Sequence, residues 1–338
     1  MKKKKLIPAV AGVLAASTLL LTGCSTSKVT FGNYWNTNSQ TQETIHETLE
    51  YDVTFQAEDS AFIDYDISYS DGNYVTTFKS ELYNGKHSYV YTAELSIKVT
   101  YTLGSESVTK EDSVKSEVRF YAADNGLAPV YSKKTILSHS PMNTTEGKLD
   151  QAYERFYFNI ETNYYDADVK ETNDKGEEKT VIEAGTAICN VIENPGEEGE
   201  KKHDPKKFGY VEDDISFIDN EQLLAAIRAI SSSDTSATVE TYSPFVGTKQ
   251  KIKFGLSTAE DAKPFKYLAN GTEVTRDISY REVKITLNGK NPGATQIAWV
   301  ATGDESSNVY RNIMLHLETP LAYGIGTLIY DLRSATYA

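Results

Sequence analysis

The chain has 338 residues, with 34 Lys and Arg against 48 Asp and Glu, a formal charge of −14. An acidic surface repels phosphate backbones and anionic headgroups, which argues against nucleic acid as a partner and against broad attraction to membrane surfaces. Two cysteines and five scattered histidines give neither a disulfide framework nor metal-ligand spacing, so no metal and no cofactor is expected.

Taken in order, the chain opens on Lys2 to Lys5, an apolar run from Leu6 to Leu21, and then Leu21-Thr22-Gly23-Cys24. The apolar run is short for a membrane span and reads as a secretion signal. These last four residues resemble the lipobox of bacterial lipoproteins. The resemblance implies diacylglyceryl transfer to the Cys24 sulfur, cleavage before Cys24 and a lipid anchor on the extracytoplasmic face of the cell membrane. Acyl chains contribute about 0.8 kcal/mol per buried CH₂, and two chains hold where one does not. Without the leader (residues 1–23) the cationic side chains fall to 30 against 48 acidic ones, a charge of −18. Residues 24–44, rich in Ser, Thr and Asn, read as a lipidated tether.

Residues 45–230 form the first β region. Leu49, Tyr51, Val53 and Phe55 alternate with polar residues, as one face of a strand requires. Ile63 to Tyr69 predicts a second strand and Tyr74 to Leu82 a third, with Asp71-Gly72 as the turn between them. Asn84-Gly85 has type I′ hairpin chemistry, since both positions tolerate φ > 0. It leads into the longest alternating stretch: Tyr89, Tyr91, Ala93, Leu95, Ile97, Val99, Tyr101 and Leu103. A strand of that length reaches roughly 50 Å, so it crosses a core or forms the wall of a curved sheet. Further strands carry Val114 to Phe120, Leu127 to Leu137, Ala152 to Tyr165 and Lys179 to Val191. Glu193 to Lys207 is rich in charge, Pro and Gly and reads as a loop. Asp219 to Ile230 is the one helix expected. Asp219 suits the N-cap, Gln222 completes a capping box, and Leu223, Leu224, Ile227 and Ile230 give an apolar face.

Residues 231–338 return to strands, either as a second unit or continuous with the first. Asn270-Gly271 and Asn288-Gly289 are hairpin signals, and Thr327 to Leu332 is apolar on both faces, as in a central strand. The expected architecture is therefore mainly β: a long curved antiparallel meander, or an unclosed barrel, packed on one short helix and followed by more antiparallel strands.

No catalytic motif is found. Ser107-Val108-Thr109-Lys110 has the Ser-x-x-Lys spacing of penicillin-binding enzymes but lies between strand patterns, where that chemistry cannot be assembled. The acidic pairs Asp64 with Asp66, Asp166 with Asp168 and Asp213 with Asp214 fit solvated sheet faces, and Cys189 fits a small core residue. Three functions remain. The first is a non-catalytic module on the cell surface that binds a protein or glycan partner. The second is a carrier of an apolar or lipid-like ligand between the sheet and the helix. In strand length and element order the pattern is similar to the lipid-carrying bacterial lipoproteins whose half-barrels hold acyl chains. Its ligand-binding residues would be Tyr89, Tyr91, Leu95, Ile97 and Tyr101, with Leu223 and Ile227 opposite. The third is a hydrolase built on paired carboxylates.

Overall fold

The computed structural model describes residues 46–58, 65–123, 126–141, 153–165, 168–172, 175–182, 185–210, 216–230, 234–245, 247–258, 262–287, 295–302 and 312–337. Cys24 and the tether lie outside them, as do Asp64, Asp166, Asp213, Asp214 and the Asn288-Gly289 turn.

Six strands open the fold: β1 (His46–Ala57), β2 (Asp66–Tyr83), β3 (Lys86–Leu103), β4 (Glu106–Ala123), β5 (Gly126–Pro141) and β6 (Tyr153–Tyr165). Each pairs antiparallel with the next. β7 (Asp168–Thr172) and β8 (Glu178–Ile182) form a small separate hairpin, and β9 (Thr186–Glu193) returns against β6. β10 (Lys201–Lys202) and β11 (Lys206–Gly209) fold back on β9. β12 (Ser216–Phe217) precedes a helical turn, Asn220–Gln222, that runs into α1 (Leu223–Ile227). Eight strands follow: β13 (Ser236–Ser243), β14 (Thr248–Leu256), β15 (Lys263–Ala269), β16 (Thr272–Ile278), β17 (Tyr280–Leu287), β18 (Gln296–Ala301), β19 (Met314–Pro320) and β20 (Gly326–Tyr337).

The last strand holds the sheet together. β20 pairs antiparallel with β1 on one side and β19 on the other, so the regions before and after residue 230 share one hydrogen-bonded sheet. In space the order is β9, β6, β5, β4, β3, β2, β1, β20, β19, β18, β17, β14, β13, β12. Two pairings are parallel, β12 with β13 and β15 with β20, so the sheet is mixed. The sheet curls and is not closed into a barrel. Aromatic side chains bring its two ends together: Phe208 of β11 stacks on Tyr242 of β13 at 3.7 Å, and Tyr164 and Tyr210 pack on Phe217 of β12. Cys189 is buried beside them, and burial pushes its thiol up to about 11, which leaves it inert as a nucleophile.

Three local expectations change. Asp71-Gly72 is a bulge inside the 18-residue β2, not a turn between two strands. Asp71 takes φ +50, which supplies the extra residue, and its carboxylate holds Lys98 at 2.7 Å. A Cβ on Gly72 would lie 2.7 Å from the Val53 Cβ, so only glycine lets β1 approach there. Glu193 to Lys207 is a hairpin end, with Asn194, Gly196 and Gly199 at positive φ and Gly196 N–H donating to Glu200. Its polarity reflects exposure, not lack of structure. The helix is shorter than Asp219 to Ile230. The capping box forms as expected, with Asp219 accepting from Glu221 N–H and Gln222 accepting from Asp219 N–H. The α-helix stops at Ile227 and tightens into shorter turns, with Arg228 N–H donating to the Ala225 carbonyl and Ala229 N–H to the Ala226 carbonyl. Arg228 turns to Glu47 and the Asn312 carbonyl, and the Ile230 carbonyl accepts from Arg281.

Candidate functional site

The inner faces of the curl and the helical segment enclose most of the core, but they do not fill it. A cavity of about 100 Å³ remains between them and opens to the surface. β3 supplies Tyr91, Ala93 and Leu95 from its buried stripe, and Tyr74, Val114 and Ser116 come from its neighbours β2 and β4. Opposite stand Ile252, Ile285, Leu287, Leu317 and Tyr330 from the C-terminal strands. Leu223 and Leu224 project from the helix, and Phe245, 40% exposed at the turn between β13 and β14, marks the mouth. Phe245 also meets Phe158 of β6 edge-on at 5.6 Å. Alternation explains why these side chains point inward. The space explains why Ala93, Leu223, Leu224 and Leu287 are only half-buried while their neighbours on the same faces are fully buried.

Two charges sit deep in this lining. Lys134 of β5 and Glu221 of the helical turn form an ion pair at 2.8 Å, with side chains 4% and 9% exposed. Behind them, Asp219 accepts from the Ser132 hydroxyl at 2.6 Å and from the Tyr164 hydroxyl. Burial, with the Glu221 carboxylate close by, pushes the Asp219 carboxyl above its usual range. Burial likewise pushes Tyr91 up to about 12, so its phenol stays neutral. Ser116, Asn220, Ser243, Gln250, Gln296 and Thr319 complete the polar part of the lining.

The residues expected to bind ligand divide into two groups. Tyr91, Leu95 and Leu223 line the cavity. Tyr89, Ile97, Tyr101 and Ile227 are packed core. Tyr89 stacks on Phe78 at 5.2 Å, Tyr101 donates to the His139 carbonyl at 2.6 Å and meets Tyr65 edge-on, and Ile97 and Ile227 are each 1% exposed. Residues that pattern reasoning passed over include Ala93, in the same stripe, and Lys134. The signal for Lys134 was present: it occupies an inward position of β5 between Ser132 and Ile136. A lone cation at an inward strand position needs a buried partner.

Other polar clusters lie apart from this lining. Asp112, buried, accepts from Ser138 and from the His139 backbone N–H, and its Oδ1 lies 2.8 Å from His139 Nδ1. His316 stacks on Trp299 at 4.2 Å and bridges Asp331 and Glu318. Among the described residues no group of three His, Cys, Asp or Glu could hold a metal ion, and no helix is long and apolar enough to cross a membrane.

No protein-family model matches the chain, and no curated protein matches it. Among solved structures it is similar to the crystal structure of a β-barrel-like protein of a domain of unknown function, DUF1849, from Brucella abortus. The two share 8% identity with a TM-score of 0.40, over 87% of this chain and 98% of that one.

Proposed function

We propose that the protein is a non-catalytic binder of a small or single-chain apolar molecule, held between the curled sheet and the helix. The observation that carries this reading is the unfilled, mainly apolar cavity. Protein interiors are close-packed, and one larger side chain at Ala93 would fill part of this space, yet the sequence places a small one there. The size also limits the ligand. A cavity of about 150 Å³ holds benzene, so the deep part takes a compact group and a tail extends to the mouth at Phe245. A two-chain lipid does not fit whole. The surface offers less to a protein or glycan partner: the exposed large apolar residues described are Leu82, Tyr83, Phe245 and Leu268, and Phe245 belongs to the mouth.

The anchorage belongs to the same proposal. Leu21-Thr22-Gly23-Cys24 supports a diacyl anchor at Cys24, which would hold the binding body beside the membrane. Cys24→Ala then releases the protein from membranes, and continued attachment at unchanged mass refutes the anchor. For the binding body the test is native mass spectrometry of the chain from Ser25 onward, purified without detergent, with organic extraction of the same sample. An apolar molecule at near-unit stoichiometry is the expected result. A clean apo mass, with no uptake of added apolar probes, refutes the reading.

A further inference from the structure

We infer that the cavity selects a ligand whose polar end is uncharged and both donates and accepts hydrogen bonds, such as an amide or a hydroxyl, and that Lys134 and Glu221 together read it. The inference rests on the binding function proposed above. Among the described residues, Glu221 Oε1 is the one partner of the Lys134 ammonium, at 2.8 Å. An ammonium has three donors, so two are left over in a side chain that is 4% exposed. Glu221 uses Oε1 for Lys134 and for Asn220 at 3.3 Å, and Oε2 has no partner among the described residues. Both residues line the cavity. The pair therefore offers donors and an acceptor side by side, in a place where water is scarce and an unmade hydrogen bond is costly.

The sign of the charge narrows the choice. Lys134 and Glu221 cancel each other, and the Asp219 carboxyl behind them, which accepts from Ser132, Tyr164 and the Glu221 N–H, adds no positive charge and disfavours an anion further. A carboxylate entering this pole would meet Glu221 as a like charge. An ammonium would meet Lys134. Either must break the existing ion pair or leave a buried charge uncompensated, which is the costly outcome. An amide N–H can instead donate to Glu221 while its carbonyl accepts from Lys134, and the pair stays intact. A hydroxyl can do the same with one atom.

The test uses four probes with one alkyl chain: octanamide, 1-octanol, octanoate and octylammonium, titrated calorimetrically at neutral pH. The protein is the chain from Ser25 onward, since all twenty described strands lie within residues 46–337. The amide is expected to bind at least tenfold more tightly than either ion, with the alcohol between. The double variant Lys134→Met with Glu221→Leu, which removes both charges together, should bring the amide and the alcohol to within about threefold of each other and weaken the amide. Tightest binding of octanoate or octylammonium overturns the inference, as does an amide preference that survives in the double variant. Equal binding of all four keeps the cavity as a site and overturns only its polar reading. No binding by any probe overturns the site and the inference together.

Discussion

Two buried ion pairs hold the helical segment to the sheet, and they differ in completeness. Arg228 meets Glu47 with two parallel contacts, 2.7 and 2.9 Å, and its Nε donates to the Asn312 carbonyl at 2.7 Å. The guanidinium also lies 5.9 Å from the centre of the Phe78 ring. Both carboxylate oxygens are used and the surroundings are dry core. Lys134 and Glu221 make one contact and face open space. A fully satisfied pair fixes where the helix sits, whereas a half-satisfied pair beside a cavity keeps bonding capacity in reserve. The same contrast runs along β3. Ile97, Val99 and Tyr101 are sealed, while Tyr91, Ala93 and Leu95 border the cavity.

The contrast breaks most easily at Arg228. Arg228→Met leaves Glu47 buried without a partner and should cost about 3–5 kcal/mol, read from the urea midpoint. Adding Glu47→Leu should restore most of that loss, and a double variant as unstable as the single one would show that shape, not charge, fixes the helix. Next comes the comparison within β3. Ile97→Ala in dry core should cost about 2–5 kcal/mol, and Leu95→Ala, with one side already facing space, about half as much. Equal losses would mean that Leu95 is packed like Ile97 in solution. Removing Lys134 and Glu221 together, as Met and Leu, should leave stability within about 1 kcal/mol of the parent, because a buried pair replaced by apolar groups of similar volume is often neutral.

The smallest effect concerns pH and the outer face of the sheet. Burial alone would lower the His316 pKa, but the bonds to Asp331 at 2.6 Å and Glu318 at 3.2 Å outweigh it and the net shift is upward. A raised folded-state pKa gives stability that is complete below the unfolded value of about 6.5 and fades as pH rises through the folded value. The advantage of the parent over His316→Asn should therefore shrink as the pH rises above about 6.5. A constant difference across that range would show that stacking on Trp299, not charge, is what His316 contributes.

Much of this fold is legible in residue pattern. Alternation finds β3 because one face of it must be dry, and Asn84-Gly85 and Asn270-Gly271 mark hairpins whose φ values are indeed positive. The apolar character of Thr327 to Leu332 anticipates a strand with neighbours on both sides, which β20 has. Pattern fails where the deciding partner is distant in sequence. Asp71-Gly72 has turn chemistry, yet Val53 on β1 turns it into a bulge. Asp219 has cap chemistry and forms its box, yet the helix tightens after Ile227, where the Arg228 side chain reaches Glu47 and the Asn312 carbonyl. The cavity is the least visible feature, because alternation says which side chains point inward and not what they meet. Tyr91 and Tyr101 share one face of one strand, and only tertiary packing separates a lining residue from a core residue.

On the proposed function, the space beside Ala93 is kept open for a ligand. Ala93→Leu tests it most directly, because it fills that space without removing any bond. Parent and variant, both from Ser25 onward, would be compared by native mass spectrometry and by urea unfolding. Near-unit occupancy by an apolar molecule is expected in the parent and none in the variant, with stability in the variant at least equal to that of the ligand-free parent. An apo parent that takes up no apolar probe, with a stabilised variant, would show that the space is a packing defect and not a site.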